Sequence, residues 1–359
     1  MKRILHIVGK MDRGGAETML MNLYRNIDRN IIQFDFVVLT DKKGDFDDEI
    51  ISMGGRIIPI LATNNIFRIF VLTKFLKNHP EYSIIHSHVL LNSVFTLLSA
   101  KLANIKHRIA HSHNTMNNKK GFLQKYYKTI SIRLIKKLAT RKIACGYAAS
   151  DFLFPSQDDV WVLPNGVEVE KLAMLERQKI FSNNGSAILQ VGRLNDVKNP
   201  FFTIEIAKKI KEKNISAHIY FVGQGNLSDK LKQTIEINGL ENVVTLLGLR
   251  SDVPELMASA DVMIMPSLHE GFPVVLAEAQ AVGLPAIIST GISNEVDLDL
   301  NLISFLNLEQ PEIWAYKIES ILDNKNKFSA NQRIAVLKEK GFDVINNANL
   351  LKEMYLELK

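Results

Sequence analysis

Short apolar runs alternate with amphipathic stretches along the whole chain. Runs of four to six residues fall at 4–8, 34–39, 57–60, 84–88, 108–112 and 142–146. Between them apolar residues recur at helical spacing, as at 17–27 and 67–78. Brief, nearly continuous apolar runs predict strands buried on both faces. Helices between such strands predict crossover connections, and therefore a parallel sheet covered by helices. The rhythm pauses at 161–169, where Pro164-Asn165-Gly166 is strong turn punctuation. A second series then runs through 187–191, 218–222, 243–246, 262–265, 286–289 and 302–305.

Two series of similar length predict an α/β protein with two Rossmann-like domains facing across a cleft. The N-terminal domain is expected over 1–164 and the C-terminal domain over 165–342. The amphipathic segment 346–358 stands apart from the last strand, so 343–359 is expected to pack back on the first domain. In such sheets ligands collect beyond the carboxyl ends of the strands, which directs attention to the loops that follow them.

Composition adjusts this picture only slightly. With 359 residues, 47% hydrophobic and 23% charged, the chain is ordinary globular material too long for one core. The apolar run at 4–8 is too short for a signal peptide, and no stretch of ~20 apolar residues predicts a membrane span. The single cysteine, Cys145, excludes an internal disulfide and fits a reducing cytoplasm. The net charge of +6 is unevenly spread: nine Lys/Arg and no acid lie between Lys119 and Lys142. Leu123, Tyr126, Tyr127, Ile130, Leu134, Ile135 and Leu138 recur there at helical spacing. A basic amphipathic helix of this kind suits the anionic inner face of a membrane, or is simply a helix with a solvated basic side. No basic-aromatic motif points to nucleic acid.

Four groups of residues could carry chemistry. After the strand at 262–265 comes a loop with Glu270 and Gly271, then a helix beginning near Pro273, with Glu278 one to two turns inside it. A helix start offers free N–H groups to a phosphate, and glycine lets an anion reach the backbone. Glu270 is then placed for sugar hydroxyls and Glu278 for a ribose. The same pair also fits two solvated acids near a helix start. The second group is Gly192, Arg193 and Lys198, after the strand at 187–191, with two cations placed for a diphosphate. The third is Gly14-Gly15 after the first strand; like the Gly-x-Gly of 222–226, it is weak alone. The fourth is His88, His111 and His113 at strand ends. His111 and His113 share a face by period-two spacing, and His113, nearer the loop, is favoured. Asp45-Phe46-Asp47 and Asp297-Leu298-Asp299 are not in plausible metal positions, so neither a catalytic metal nor any other cofactor is expected.

Together these motifs resemble the retaining glycosyltransferases of the GT-B fold, in the large family 4. The resemblance spans nearly the whole chain: Gly14-Gly15-Ala16-Glu17, IIHSH, HSHN, Leu163-Pro164-Asn165-Gly166-Val167, VGRL…KNP, VGQG, GLRSDVPELMASADVMIMPS and EGFPVVLAEA, in family order. The wording of HSHN and HEGFP is similar to members that build capsular, exopolysaccharide or O-antigen chains. The resemblance implies transfer of a sugar from a nucleotide diphosphate, a UDP-sugar by expectation, to a glycan or lipid-linked glycan. Arg193 and Lys198 would bind the diphosphate, Glu270 the donor sugar and Glu278 the ribose. The backbone at Gly15, Gly271, Phe272 and Val274 would surround phosphates and sugar, that of Arg250 would lie against the base, and His113 would touch the sugar near its reacting carbon. One departure is Gly146, where relatives often carry serine. Alternatives on the same fold are a nucleotide-sugar epimerase or a non-catalytic nucleotide-sugar-binding protein.

Overall fold

The computed structural model describes residues 1–113, 121–156, 159–182, 185–323 and 328–358. Asn114 of HSHN, Lys119 and Lys120 lie outside them. The chain divides into two compact units: Met1–Gly166 with Asp343–Lys359, and Val167–Phe342.

The first unit holds seven strands: β1 Lys2–Val8, β2 Ile32–Val38, β3 Ile57–Pro59, β4 Ile84–Ser87, β5 His107–Ser112, β6 Arg141–Ala144 and β7 Val160–Val162. Their order across the sheet is β3-β2-β1-β4-β5-β6-β7, with every pairing parallel. Strand β7 corrects the expected pause at 161–169. It is only three residues long and sits on the sheet edge beside β6, too short to show a period. The helix Val344–Glu357 packs on the helix Gly15–Asn26, with Val344, Ala348, Leu351 and Tyr355 in the same core as Phe34 and Phe36.

The second unit has β8 Ser186–Val191, β9 Ala217–Val222, β10 Val244–Gly248, β11 Val262–Met265, β12 Ala286–Ser289 and β13 Ile303–Leu306. Their order is β10-β9-β8-β11-β12-β13, again all parallel. Central strands are covered on both faces, which is why β11 reads as an unbroken apolar run and β1, β8 and β12 as nearly continuous ones.

Each sheet reverses its winding once: between β1 and β4 in the first unit, and between β8 and β11 in the second. At such a point the loops leaving two neighbouring strands diverge to opposite faces and leave a crevice. The loops that carry Gly14-Gly15 and His88 leave the first crevice. Those that carry Arg193-Lys198 and Glu270 leave the second.

The basic segment falls partly in a helix and partly in a strand. Its helix is Phe122–Leu138, and Arg141 and Lys142 open β6, where Lys142 pairs with Asp159 at 2.7 Å. Lys136 donates to the Pro155 carbonyl and Lys128 lies over the Phe152 ring at 4.2 Å. Lys125, Arg133 and Lys137 remain exposed, interleaved with exposed Tyr126, Ile130 and Leu134.

Candidate active site

In the second unit the backbone does most of the positioning. Gly192, just past β8, has φ +141, and a Cβ there would stand 3.0 Å from Lys198 Cε. At Gly223 and Gly225 a Cβ would meet the carbonyl oxygens of Gly192 and Leu194 at 2.1 Å. The loops after β8 and β9 therefore lie against each other, stitched by Gly192 N to Val222 O (2.9 Å) and Leu194 N to Gln224 O (3.1 Å). The Gly-x-Gly of 222–226 is explained by this close approach alone.

The backbone of Lys198 is held on both sides. The Lys198 N–H donates to Asn195 Oδ1 (3.1 Å), and its carbonyl accepts from Gln190 Nε2 (2.9 Å). Gln190 is buried and is itself held by the Thr203 hydroxyl at 2.5 Å. Asn199 follows at φ +50, and Pro200 opens the helix Pro200–Glu212. Gln190, Asn195 and Thr203 escape a reading of the sequence because each acts through the fold. The one signal available for them is a glutamine inside an apolar strand.

Glu270 comes from the neighbouring strand at the winding reversal. The loop after β11 is tied to the β8 loop by Leu268 N to Val197 O (2.8 Å). On its other side Glu270 N donates to Gly291 O (3.2 Å), and Ser293 N donates to Glu270 O (3.3 Å). Gly291 is obligatory here, since a Cβ would stand 2.3 Å from the Leu268 carbonyl oxygen. The result is that Lys198 Nζ lies 2.7 Å from Glu270 Oε1, both side chains more than four-fifths covered. Two residues assigned separate roles from sequence thus meet as an ion pair. Arg193 lies on the same loop and is exposed.

The helix Val274–Val282 starts one residue later than Pro273, which caps it. Glu278 sits in its second turn, partly buried, and desolvation pushes its carboxyl up to about 7. Phe272 stacks on Phe342 at 4.9 Å and Val274 is buried, so these two offer only backbone toward a ligand, as does the partly buried Gly271. Arg250 is forked onto Asp252, at 2.8 and 2.6 Å, and its charge is neutralised locally.

The first unit carries Gly15 and His113. A Cβ on Gly14 would meet Glu17 Oε2 at 2.4 Å, whereas Gly15 faces open space at the start of its helix. His113 does not stand alone. Its Nε2 is 2.8 Å from His88 Nδ1, its ring centroid is 3.9 Å from that of His111, and His88 Nε2 is 3.0 Å from His6 Nδ1. Burial is the largest cause holding all these imidazoles below their ordinary range, with His6 and His113 lowered to about 3. His88, His111 and His113 do converge, and they converge as neutral rings.

The comparisons with known proteins agree with this architecture. Residues 13–171 match the model of glycosyltransferase family 4, and residues 175–335 that of glycosyl transferases group 1. EpsF of Bacillus subtilis (strain 168), named as a glycosyltransferase, is 35% identical, covering 99% of this chain and 96% of its own. The UDP-Gal:alpha-D-GlcNAc-diphosphoundecaprenol alpha-1,3-galactosyltransferase of Escherichia coli is 28% identical over 91% of this chain and 90% of its own. Among solved structures, HepE of Anabaena in complex with UDP-glucose superposes with TM-score 0.79 at 18% identity, covering 99% and 100% of the two chains. With two parallel Rossmann-like sheets, sequence relatives over its full length and family models matching both halves, the chain belongs to family 4 of the GT-B glycosyltransferases.

Proposed function

We propose that this enzyme is a retaining, metal-independent transferase. It moves a hexose from a UDP-sugar to a glycan or lipid-linked glycan during assembly of a surface polysaccharide. The observation that carries this reading is the Lys198–Glu270 pair at the winding reversal of the second unit, beside exposed Arg193. A cation and a carboxylate held by backbone geometry suit a diphosphate and sugar hydroxyls. In the ligand-free enzyme Glu270 occupies the cation; a bound diphosphate takes that place and frees the carboxylate for the sugar. The bond from the sugar's anomeric carbon to the diphosphate breaks, and the acceptor hydroxyl bonds to that carbon on the same face. Its proton passes to the departing phosphate oxygen, whose charge Arg193 and Lys198 hold.

Glu278, with a carboxyl that lacks full solvation, accepts the ribose hydroxyls. The backbone of Gly15, Gly192, Gly271, Phe272 and Val274 surrounds phosphates and sugar, Arg250 contributes backbone beside the base, and His113 contacts the sugar. UDP as donor nucleotide and an undecaprenol-linked acceptor are supported by the names of the E. coli relative and of the Anabaena complex. The exposed Lys125, Arg133 and Lys137, with Tyr126, Ile130 and Leu134, suit contact with an anionic membrane that presents such an acceptor. A panel of nucleotide sugars, scored for hydrolysis and for thermal stabilisation, tests the reading. Stabilisation by UDP-sugars that Lys198→Ala abolishes supports it; stabilisation by none sinks it.

A further inference from the structure

Five of the nine histidines gather at the central strands of the first unit. His6 lies in β1, His86 in β4 and His111 in β5; His88 and His113 stand just past the last two strands. Within the set His88, His111 and His113, one ring nitrogen from each lies within 4.8 Å of the others. The site contains no carboxylate, since histidines alone compose the set.

This is an expensive way to fill a core. A buried polar atom without a partner costs about 1–3 kcal/mol, which an apolar side chain of similar shape would avoid. Yet His111 Nε2 and His113 Nδ1 are both buried with no hydrogen-bond partner. The rings are also held from behind. His111 Nδ1 is 3.2 Å from His86 Nε2, and His86 Nδ1 is 2.6 Å from the Tyr355 hydroxyl on the C-terminal helix. His6 Nδ1 holds His88 Nε2. Imidazoles that ligate metals have the support seen at His111, with one ring nitrogen oriented by a hydrogen bond and the other left with its lone pair; His88 Nδ1 faces His113 Nε2 at 2.8 Å, a contact that a bound ion would replace.

We propose that His88, His111 and His113 form a binding site for a divalent transition ion of the Zn²⁺ class. Neutral imidazole ligands without carboxylate favour Zn²⁺, Cu²⁺ or Ni²⁺ over Mg²⁺ or Ca²⁺. Three protein ligands leave a further position open to water or a ligand. His88 and His111 are buried, while His113 is partly exposed and gives the ion its way in. His6 and His86 with Tyr355 act as positioning residues behind the ligands. The site is independent of Arg193, Lys198, Glu270 and Glu278. An ion bound there withdraws His113 from contact with a donor sugar.

The test uses the full chain, stripped by chelator and dialysed. It is titrated with Zn²⁺ by calorimetry and with Co²⁺ by visible absorption. One ion per chain is expected, with affinity falling about tenfold or more in both His111→Ala and His113→Ala. Far-UV circular dichroism confirms that each variant is folded, and if His111→Ala fails to fold, the partly exposed His113 carries the test. Absence of binding overturns the proposal. So does binding that both variants retain, which would mark an adventitious ion on surface histidines such as His79 or His269.

Discussion

The two winding reversals occupy equivalent places in two similar sheets and are furnished in opposite ways. Between β8 and β11 the strand-end loops bring a lysine and a glutamate to 2.7 Å, with a further exposed arginine. In the first unit β1, β4 and β5 and the residues just past them bring together buried imidazoles that stay neutral. Topology supplies the crevice in both units, and side chains alone decide its electrostatics. One crevice presents a paired lysine and glutamate, while the other is lined by neutral imidazoles.

The sharpest way to break this comparison is to remove the charges. Lys198→Ala and Glu270→Ala should each lower transfer by about 10²-fold or more while the fold persists, measured as kcat with circular dichroism alongside. Each single change also leaves its largely covered partner charge uncompensated. Stability losses should therefore be non-additive, with the double variant more stable than the sum of the singles implies. Full activity in both single variants would leave the pair as structural.

Elsewhere on the first unit, exposed cations line the helix Phe122–Leu138. Replacing Lys125, Arg133 and Lys137 together by glutamine should weaken binding to anionic vesicles by about tenfold to a hundredfold, from roughly 1 kcal/mol per charge near the surface. Unchanged vesicle co-sedimentation would make the helix Phe122–Leu138 ordinary surface.

Glu278→Gln sharpens the picture of the second unit. A carboxyl raised from 4.5 to about 7 binds its proton more tightly in the folded chain than in the unfolded one. Its contribution to stability therefore declines as pH rises from 4.5 to 7 and stays low above that. The glutamine variant should be more stable than the parent at pH 8 by about 1–3 kcal/mol, yet bind nucleotide about tenfold more weakly. Thermal melts with and without UDP read both effects.

The histidines predict the opposite slope. Their folded pKa values lie below the unfolded value of 6.5, so below that pH the unfolded chain takes up protons that the folded chain refuses. Stability should be fully present above pH 6.5 and fall as the solution is acidified toward pH 5. Glu278→Gln should steepen that fall, because it removes the one opposing term among these groups. Urea midpoints at pH 7.5 and 5.5 decide this, and equal midpoints in both proteins would contradict it.

Much of the architecture was legible because the governing patterns are local. Strands β11 and β12 coincide with their apolar runs at 262–265 and 286–289, and the helix expected near Pro273 begins at Val274. Local patterning failed at β7, whose three residues become a strand only by pairing with β6.

Sequence by itself thus determined the alternation of strand and helix, and the loops in which polar residues collect, because periodicity and turn chemistry act over a few residues. Only tertiary structure decided what those residues do to one another. Lys198 and Glu270 are 72 positions apart and pair because β8 and β11 are neighbours. Gly223 and Gly291 are glycine because a distant carbonyl leaves no room for a Cβ. His113 is one of five clustered rings because β1, β4 and β5 run side by side. Burial and proximity are properties of the whole chain packed together, and no window of sequence contains them.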